Sequence, residues 1–389
     1  MRLSLEQFLQ NHEITLDYIR NRVEAQIGLD AGDALFAGGS LAESFGHPKS
    51  DLDLYLLTHR AVSSVGERVV IECKSAPVDL ELWPFSHVEC LLESLAAMPA
   101  QAVRDPRDSL VFDKEDREFL HRLSIGITLA GEARLRSIAA RVDRRSLARV
   151  LFDRACAQIG TAQADLVGML ELGDLDTSLY LIQMIAECAL DCILAATGHT
   201  NPEEKWRLAK LSGLLGTNWD AELLGGRLLP DVVTAMRGLL YPGSVAPEAT
   251  ARRAHECVRL ANRVIPWGQE RFASARELTP YGTAPREGES RDGPVPCGGP
   301  EAGKLRIALN VHIRYEPEQY KIYPFDGGTV LSVNRLFAET LALYDGKTSR
   351  EGIVTALKVL TDAPAAHLSA AIADLETLLI AEQMLTGPA

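Results

Sequence analysis

At 389 residues the chain is long enough for two or three domains, each with its own core. Hydrophobic residues make up 47% and charged residues 24%, the composition of an ordinary soluble globular protein. The formal net charge of −13 excludes a surface built to attract nucleic-acid phosphates at large, leaving room only for a local basic groove. Seven scattered cysteines include no Cys-x-x-Cys and no zinc spacing. Cys188 and Cys192, four apart on an apolar stretch, read as buried free thiols. The first twenty residues are too polar for a signal peptide, so a reducing, cytoplasmic setting away from membranes is expected.

Residues 3–28 carry helical spacing through Leu5, Phe8, Leu9, Ile14, Tyr18, Ile19 and Val23. Short apolar runs with turn signals follow, ALFAGGS, LDLYLLT, RVVIECK and VDLELWPF, and then helix-like VECLLESLAAM. This is α/β punctuation, and it gives an expected first domain over 1–115. From Asp116 to Ala275 the pattern changes to long helices, an expected all-α domain over 116–275. Within it SLYLIQMIAECALDCILAATG is apolar almost all round. Glu187 and Asp191 in its middle make it a core helix of a soluble bundle rather than a membrane span. Residues 276–304, rich in Gly, Pro and charge, read as a flexible linker. A separate domain over 305–389 follows, with strands in LRIALNVHIRYE, YKIYPF and GTVLSV and helices near 334–344, 349–361 and 366–384.

The stretch FAGGSLAESFGHPKSDLDLYLL holds the chemistry. Strand alternation puts Asp51 and Asp53 on one face while Leu52, Leu54 and Leu56 point to the core. Two carboxylates so close repel unless a cation sits between them, and Mg²⁺ prefers oxygen ligands completed by substrate phosphates. PVDLELWPF supplies a further acid on a second strand, Asp79 or Glu81, which would allow two metal ions. Gly38 and Gly39 permit close backbone approach to phosphate, and Ser40 adds a hydroxyl donor.

Gly39-Ser40, a ten-residue spacer and Asp51-Leu52-Asp53-Leu54 resemble the DNA polymerase β-like nucleotidyltransferase superfamily over roughly residues 30–115. The surroundings are similar to its small stand-alone members, which include antibiotic nucleotidyltransferases. The resemblance implies a mixed sheet with flanking helices. It assigns Asp51 and Asp53 to the metals, and Asp79 to the catalytic metal or to activation of the acceptor, with Glu81 as the alternative. It makes Gly38, Gly39 and Ser40 the nucleotide-phosphate loop, with Lys49 a further contact. Similar Lys-Trp segments in appended helical domains make Lys205 or Lys210 candidates for the triphosphate and Trp206 a wall of the cleft. Glu43 and His47 are lesser candidates beside the site, and Asp105 and Asp108 read as turn and cap residues.

Residues 305–386, carried by YPFDGGTVLSVNRLFAETLALYDGKTSREGIVTAL and the amphipathic LSAAIADLETLLIAEQML, resemble the PqqD-like recognition element of ribosomal-peptide (RiPP) biosynthesis, a winged-helix-like α+β fold. Such modules take a leader peptide as an added strand. The resemblance places that peptide along 328–333, at Leu331 and Val333, and against Leu368, Ile372 and Leu375. Seven basic against ten acidic residues over 305–389, with no basic cluster, disfavour DNA or RNA as partner. The expected function is Mg²⁺-dependent transfer of a nucleoside monophosphate, AMP from ATP first, to a ribosomally made precursor peptide. Alternatives are a small-molecule enzyme of the antibiotic-modifying sort, a protein AMP transferase and a catalytically idle peptide-recruiting scaffold.

Overall fold

The structure, a computed structural model, describes residues 2–98, 112–200, 204–215, 222–223, 227–240, 246–274, 304–316, 319–324, 329–361 and 363–386. The expected linker, apart from Lys304, and Asp105 and Asp108 lie outside the described residues. The chain divides into two compact units. One takes in 1–100, 110–150 and 200–206, the other 151–199 and the chain from 207 onward.

The N-terminal helical stretch is two helices, α1 (Leu5–Asn11) and α2 (Leu16–Gln26), rather than one. Ser4 and Gln7 form a capping box on α1, Thr15 caps α2, and Glu13 between them takes a left-handed φ of 52°. Helical spacing persists across the break because both helices bury the same face. Next come β1 (Ala34–Ala37), the single-turn α3 (Gly39–Ala42), β2 (Leu52–Thr58), β3 (Glu67–Cys73), β4 (Ala76–Pro84), α4 (Phe85–Ala96), α5 (Lys114–Ile125), β5 (Ile127–Ala130) and α6 (Glu132–Ala139).

The strands form one mixed sheet in the order β3-β4-β2-β1-β5, with β2 and β4 parallel and the other pairs antiparallel. Alternation divides its core in two. Leu52, Leu54, Leu56, Val78 and Leu80 pack with Phe8, Ile19 and Val23 of α1 and α2. Tyr55, Leu57 and Trp83 pack with Val88 and Leu92 of α4 and Phe119 of α5. Trp83 and Phe119 stack at 3.8 Å between centroids. Strand β5 corrects the expectation of an all-α domain from residue 116. The signal was Ile127–Ala130 bounded by Gly126 and Gly131. Gly131 takes φ +68°, and a Cβ there would meet Ala34 Cα at 2.9 Å, so only glycine lets the chain turn so close to β1.

The second unit continues α7 (Arg144–Leu172) and adds α8 (Leu175–Ala196), α9 (Arg207–Leu215), the short β6 (Glu222–Leu223) and β7 (Arg227–Leu228), α10 (Leu229–Leu239) and α11 (Pro247–Ala273). By length and composition α8 is apolar enough to cross a membrane, but most of it is buried within the unit. Its two central acids have a protein partner: Arg207 donates to both oxygens of Asp191 at 2.6 and 2.8 Å and lies 3.6 Å from Glu187. Cys188, Cys192 and Cys257 are buried free thiols, and burial pushes the Cys188 thiol up to about 12.

The C-terminal segment holds β8 (Arg306–Ile307), β9 (Val311–Glu316), β10 (Gln319–Pro324), β11 (Leu331–Val333), α12 (Arg335–Ala342), α13 (Arg350–Leu357), α14 (Ala365–Ala381) and β12 (Leu385–Thr386). The three expected helices are all present, the first two capped by Asn334 and Ser349. Strands β11, β10 and β9 pair antiparallel in that order, and β12 pairs with β8.

One edge of β9 pairs with β10, and side-chain amides from the helices hold the other. Asn262 donates to the Val311 carbonyl at 2.9 Å and accepts from the Ile313 N–H at 3.0 Å, imitating a ladder partner. Gln163 donates to the carbonyls of Leu309 and Val311, and Gln269 accepts from the Tyr315 N–H. Buried peptide groups that have lost water require such partners. Asn262→Leu therefore strips the Ile313 N–H of its partner, while the Val311 carbonyl keeps Gln163, and is expected to cost about 1–3 kcal/mol in denaturant unfolding of the full chain. A loss below about 0.5 kcal/mol, the range of an ordinary surface substitution, would show that the edge is not held this way.

Candidate active site

The site is built where β1 runs into α3 beside the parallel pair β2–β4. Leu52 pairs with Val78, Asp53 with Asp79 and Tyr55 with Glu81. Asp53 and Asp79 are thus direct neighbours on one face of the sheet, and both are half-buried. Asp51 precedes β2 and is exposed.

Gly38 donates its N–H to the Asp53 carbonyl at 3.0 Å, tying the glycine turn to β2. A Cβ on Gly38 would meet the Tyr55 ring at 2.9 Å. Gly39 takes φ +69°, and a Cβ there would overlap Asp53 Oδ2 and lie 2.8 Å from its Cγ. Real Cβ atoms do not approach so closely, so the glycines make room first for the protein's own carboxylate and tyrosine. Ser40 is half-buried in α3, and its carbonyl accepts the Phe45 N–H at 2.8 Å.

Glu81 lies deeper than Asp79 and is already committed. It is 3.1 Å from Arg68 and 3.9 Å from Arg122, and accepts from Trp83 Nε1 at 3.2 Å. Asp79 is therefore the better placed partner for Asp53. Arg122 escaped the sequence reading. It projects from α5, pairs with Glu118 at 3.3 Å and sits over the Tyr55 ring at 5.5 Å. The polar i,i+4 pair Glu118–Arg122 was visible, but nothing local shows that α5 carries it to this face.

Burial is the main cause that raises the Asp53 carboxyl from 3.8 to about 6. Arg122 opposes that rise, the like charges of Asp51 and Glu81 add to it, and Lys205 opposes it. Lys205 thus acts on Asp53 electrostatically, from an exposed 3₁₀ turn at Glu204–Trp206. Trp206 stacks on Phe45 at 5.3 Å, and Lys205 lies over its ring at 5.7 Å.

Other candidates fall elsewhere. Lys49 and His47 are exposed in a turn where the Ser50 N–H donates to the His47 carbonyl at 2.8 Å. Glu43 is 3.3 Å from His121, whose Nδ1 meets Thr200 Oγ1 at 3.0 Å, in a buried polar cluster. Lys210 belongs to the second unit, buried on α9. Leu331 and Val333 of β11 and Leu368, Ile372 and Leu375 of α14 line a single apolar groove of about 620 Å³. Leu368 and Ile372 also serve the core of that segment, and the other three are only partly buried.

Among the described residues no three His, Cys, Asp or Glu side chains converge on a metal site. The donor set still fits a hard divalent ion that takes one or two carboxylates and fills its shell with water and phosphate oxygens. A carboxylate whose proton affinity is raised chiefly by burial, with nearby acids adding to it, is the electrostatic state that such an ion relieves.

No protein-family model matches the chain, and no curated protein matches it. Among solved structures it is similar to a nucleotidyltransferase-like protein from Exiguobacterium sibiricum 255-15. The two share 12% identity, covering 66% of this chain and 78% of that one, with a TM-score of 0.39. A likeness of that size decides neither fold nor activity.

Two outcomes test the geometry. Gly39→Ala should destabilise the protein by about 2 kcal/mol or more, from left-handed strain plus the overlap with Asp53. In an Asp53→Ala background the penalty should shrink towards the backbone strain alone, about 1–2 kcal/mol; additive penalties in the double-mutant cycle would refute the contact. The second outcome is a pH dependence. The folded carboxyl of Asp53 holds its proton more tightly than the unfolded one, so its stabilising contribution is complete below 3.8 and is lost as pH rises through about 6. In chelator, the Tm difference between Asp53→Asn and wild type should therefore grow in favour of the variant over that window, as read by thermal melts. A constant difference would show that Asp53 titrates normally.

Proposed function

We propose that the chain is a Mg²⁺-dependent nucleotidyltransferase that moves a nucleoside monophosphate, AMP from ATP first, onto an acceptor group of a ribosomally made peptide. The observation that carries the reading is Gly39, in a left-handed turn, set against the Asp53 carboxylate with Asp79 beside it in register. This puts a tight glycine turn and a half-buried acid pair at one spot, with Lys205 acting on it electrostatically.

On this reading Asp51, Asp53 and Asp79 hold the metal, which supplies charge neutralisation on the phosphates. On a turn that the Gly38 N–H ties to β2, Gly39 and Ser40 bring backbone and hydroxyl donors to the phosphate chain. Lys205 adds a cation there, and Asp79 takes the proton of the attacking acceptor as its bond to the α-phosphorus forms, the α–β phosphoanhydride bond breaks and pyrophosphate leaves. Arg122 keeps Asp53 ionised by opposing the effect of its burial. Catalysis is then mostly positioning and electrostatics.

The peptide part of the reading draws on the groove beside β11. This strand has β10 on one side only, so among the described residues its other backbone edge is open. A leader peptide would add to that edge as a strand and lodge apolar side chains against Leu368, Ile372 and Leu375. A small-molecule acceptor is the second reading, since the acid site has the same form for either acceptor. Deleting 276–389 does not separate the two, because β9 satisfies Asn262, Gln163 and Gln269 in the helices.

The test uses the full chain with α-phosphate-labelled nucleotides, Mg²⁺ and the precursor peptide encoded beside the gene. Label should pass to the peptide, and Asp53→Asn should lower the rate at least about a hundredfold. No transfer from any nucleotide to any acceptor sinks the enzymatic reading. Leu331→Glu combined with Leu375→Glu should raise the peptide KM about tenfold or more with kcat little changed. Unchanged peptide kinetics would transfer the weight to a small-molecule acceptor.

A further inference from the structure

A second cavity, of about 240 Å³, lies within the second unit between α11, β8 and the turn after α12. It is smaller than the pockets typical of drug-sized ligands, roughly 300–1,000 Å³. In a chain of net charge −13 its lining is basic: Arg252, Arg253 and Arg259 from α11, with Arg306 and Lys347 from the C-terminal segment.

The acids in this lining are already engaged. Glu256 accepts from Arg259 Nε at 3.1 Å and Nη2 at 2.5 Å. Asp345 accepts from the N–H groups of Lys347 and Thr348 at 2.8 and 2.7 Å. Cationic donors are left over. Arg259 is 6% exposed, and its Nη1 is buried with no hydrogen-bond partner among the described residues. Arg306 Nε is buried and unpartnered in the same sense.

Burial lowers the proton affinity of Arg306 and, together with the Arg306 charge, pushes His255 down to about 4. His255 is thus neutral and adds no charge. The lining sets five basic side chains against the two acids Glu256 and Asp345, and burying cations short of counter-charge is costly unless an anion enters.

We propose that this cavity binds a compact phosphate-bearing anion, between pyrophosphate and a nucleoside monophosphate in size, through the unused faces of Arg259 and Arg306. The planar donor fork of arginine matches phosphate oxygens, and charge-assisted hydrogen bonds of this kind are about twice as strong as neutral ones. Arg252, Arg253 and Lys347 at the rim supply attraction. Because the donors come from both α11 and the C-terminal segment, the anion ties the peptide groove's support to the helices. The assignment does not depend on the activity proposed above.

Isothermal titration calorimetry on the full chain in chelator, with pyrophosphate, AMP and sulfate in separate arms, tests it. One site per chain is expected for pyrophosphate or AMP, weakening as salt rises. Affinity should fall at least tenfold in Arg306→Gln and severalfold in the exposed Arg252→Ala, and stay unchanged in Asp53→Asn. Whichever of pyrophosphate and AMP binds more tightly identifies the source of the phosphate. Arg252→Ala keeps the test open should Arg306→Gln fail to fold, since binding unaffected by it overturns the proposal. So do the absence of binding by either phosphate compound, binding of sulfate as tight as either, and loss of binding in Asp53→Asn, which would put the anion at the acid pair.

Discussion

The parallel register of β2 on β4 is the constraint on which the acid site depends. Slipping one strand by a single residue would turn every side chain to the opposite face. The register is held by Leu52, Leu54 and Leu56 against Val78 and Leu80 on one face, and by Tyr55, Leu57 and Trp83 on the other. Asp53 and Asp79 are therefore set side by side by hydrophobic burial, with no attraction of their own. Their repulsion is a small term against a core of that size, at roughly 1.5–3 kcal/mol for each large apolar side chain buried. The fold can thus hold a charge arrangement that no isolated strand pair would adopt.

Everything else at the site answers to that placement. Gly39 gives up its Cβ to the space that Asp53 takes, and Gly38 does the same for Tyr55. Arg122 covers Tyr55 and reaches Glu81, which separates the acids into two classes. Glu81 is ion-paired and buried, whereas Asp53 and Asp79 remain half-exposed where a ligand can reach them. Burial without a fully compensating cation is what raises the proton affinity of Asp53.

The second unit applies a different rule to a similar difficulty. Its long helices carry polar side chains at positions where a core would ordinarily be apolar, and these meet backbone or charge. Asn262, Gln163 and Gln269 satisfy the outer edge of β9, and Arg207 pairs with Asp191 and lies beside Glu187 on α8. Edge strands are open to unwanted pairing unless something covers them. Here one edge of the three-stranded sheet is covered by amides and, among the described residues, the opposite edge at β11 is open beside an apolar groove.

The sequence by itself determined what depends on neighbours along the chain. The alternation of Asp51 and Asp53 with leucines, the paired glycines and the three C-terminal helices were all legible locally. So was the apolar surround of Glu187 and Asp191, although not the Arg207 that accounts for them. The tertiary structure alone decided which acid faces Asp53, because Asp79 and Glu81 share a strand face and only the β2–β4 register distinguishes them. It also decided that Ile127–Ala130 pairs with β1, that Arg122 reaches the site, and that helix amides serve a strand some fifty to a hundred and fifty residues away. Spacing along a chain reports which side chains share a face. Which faces then meet is settled by burial over long sequence separations, and no local pattern records that choice.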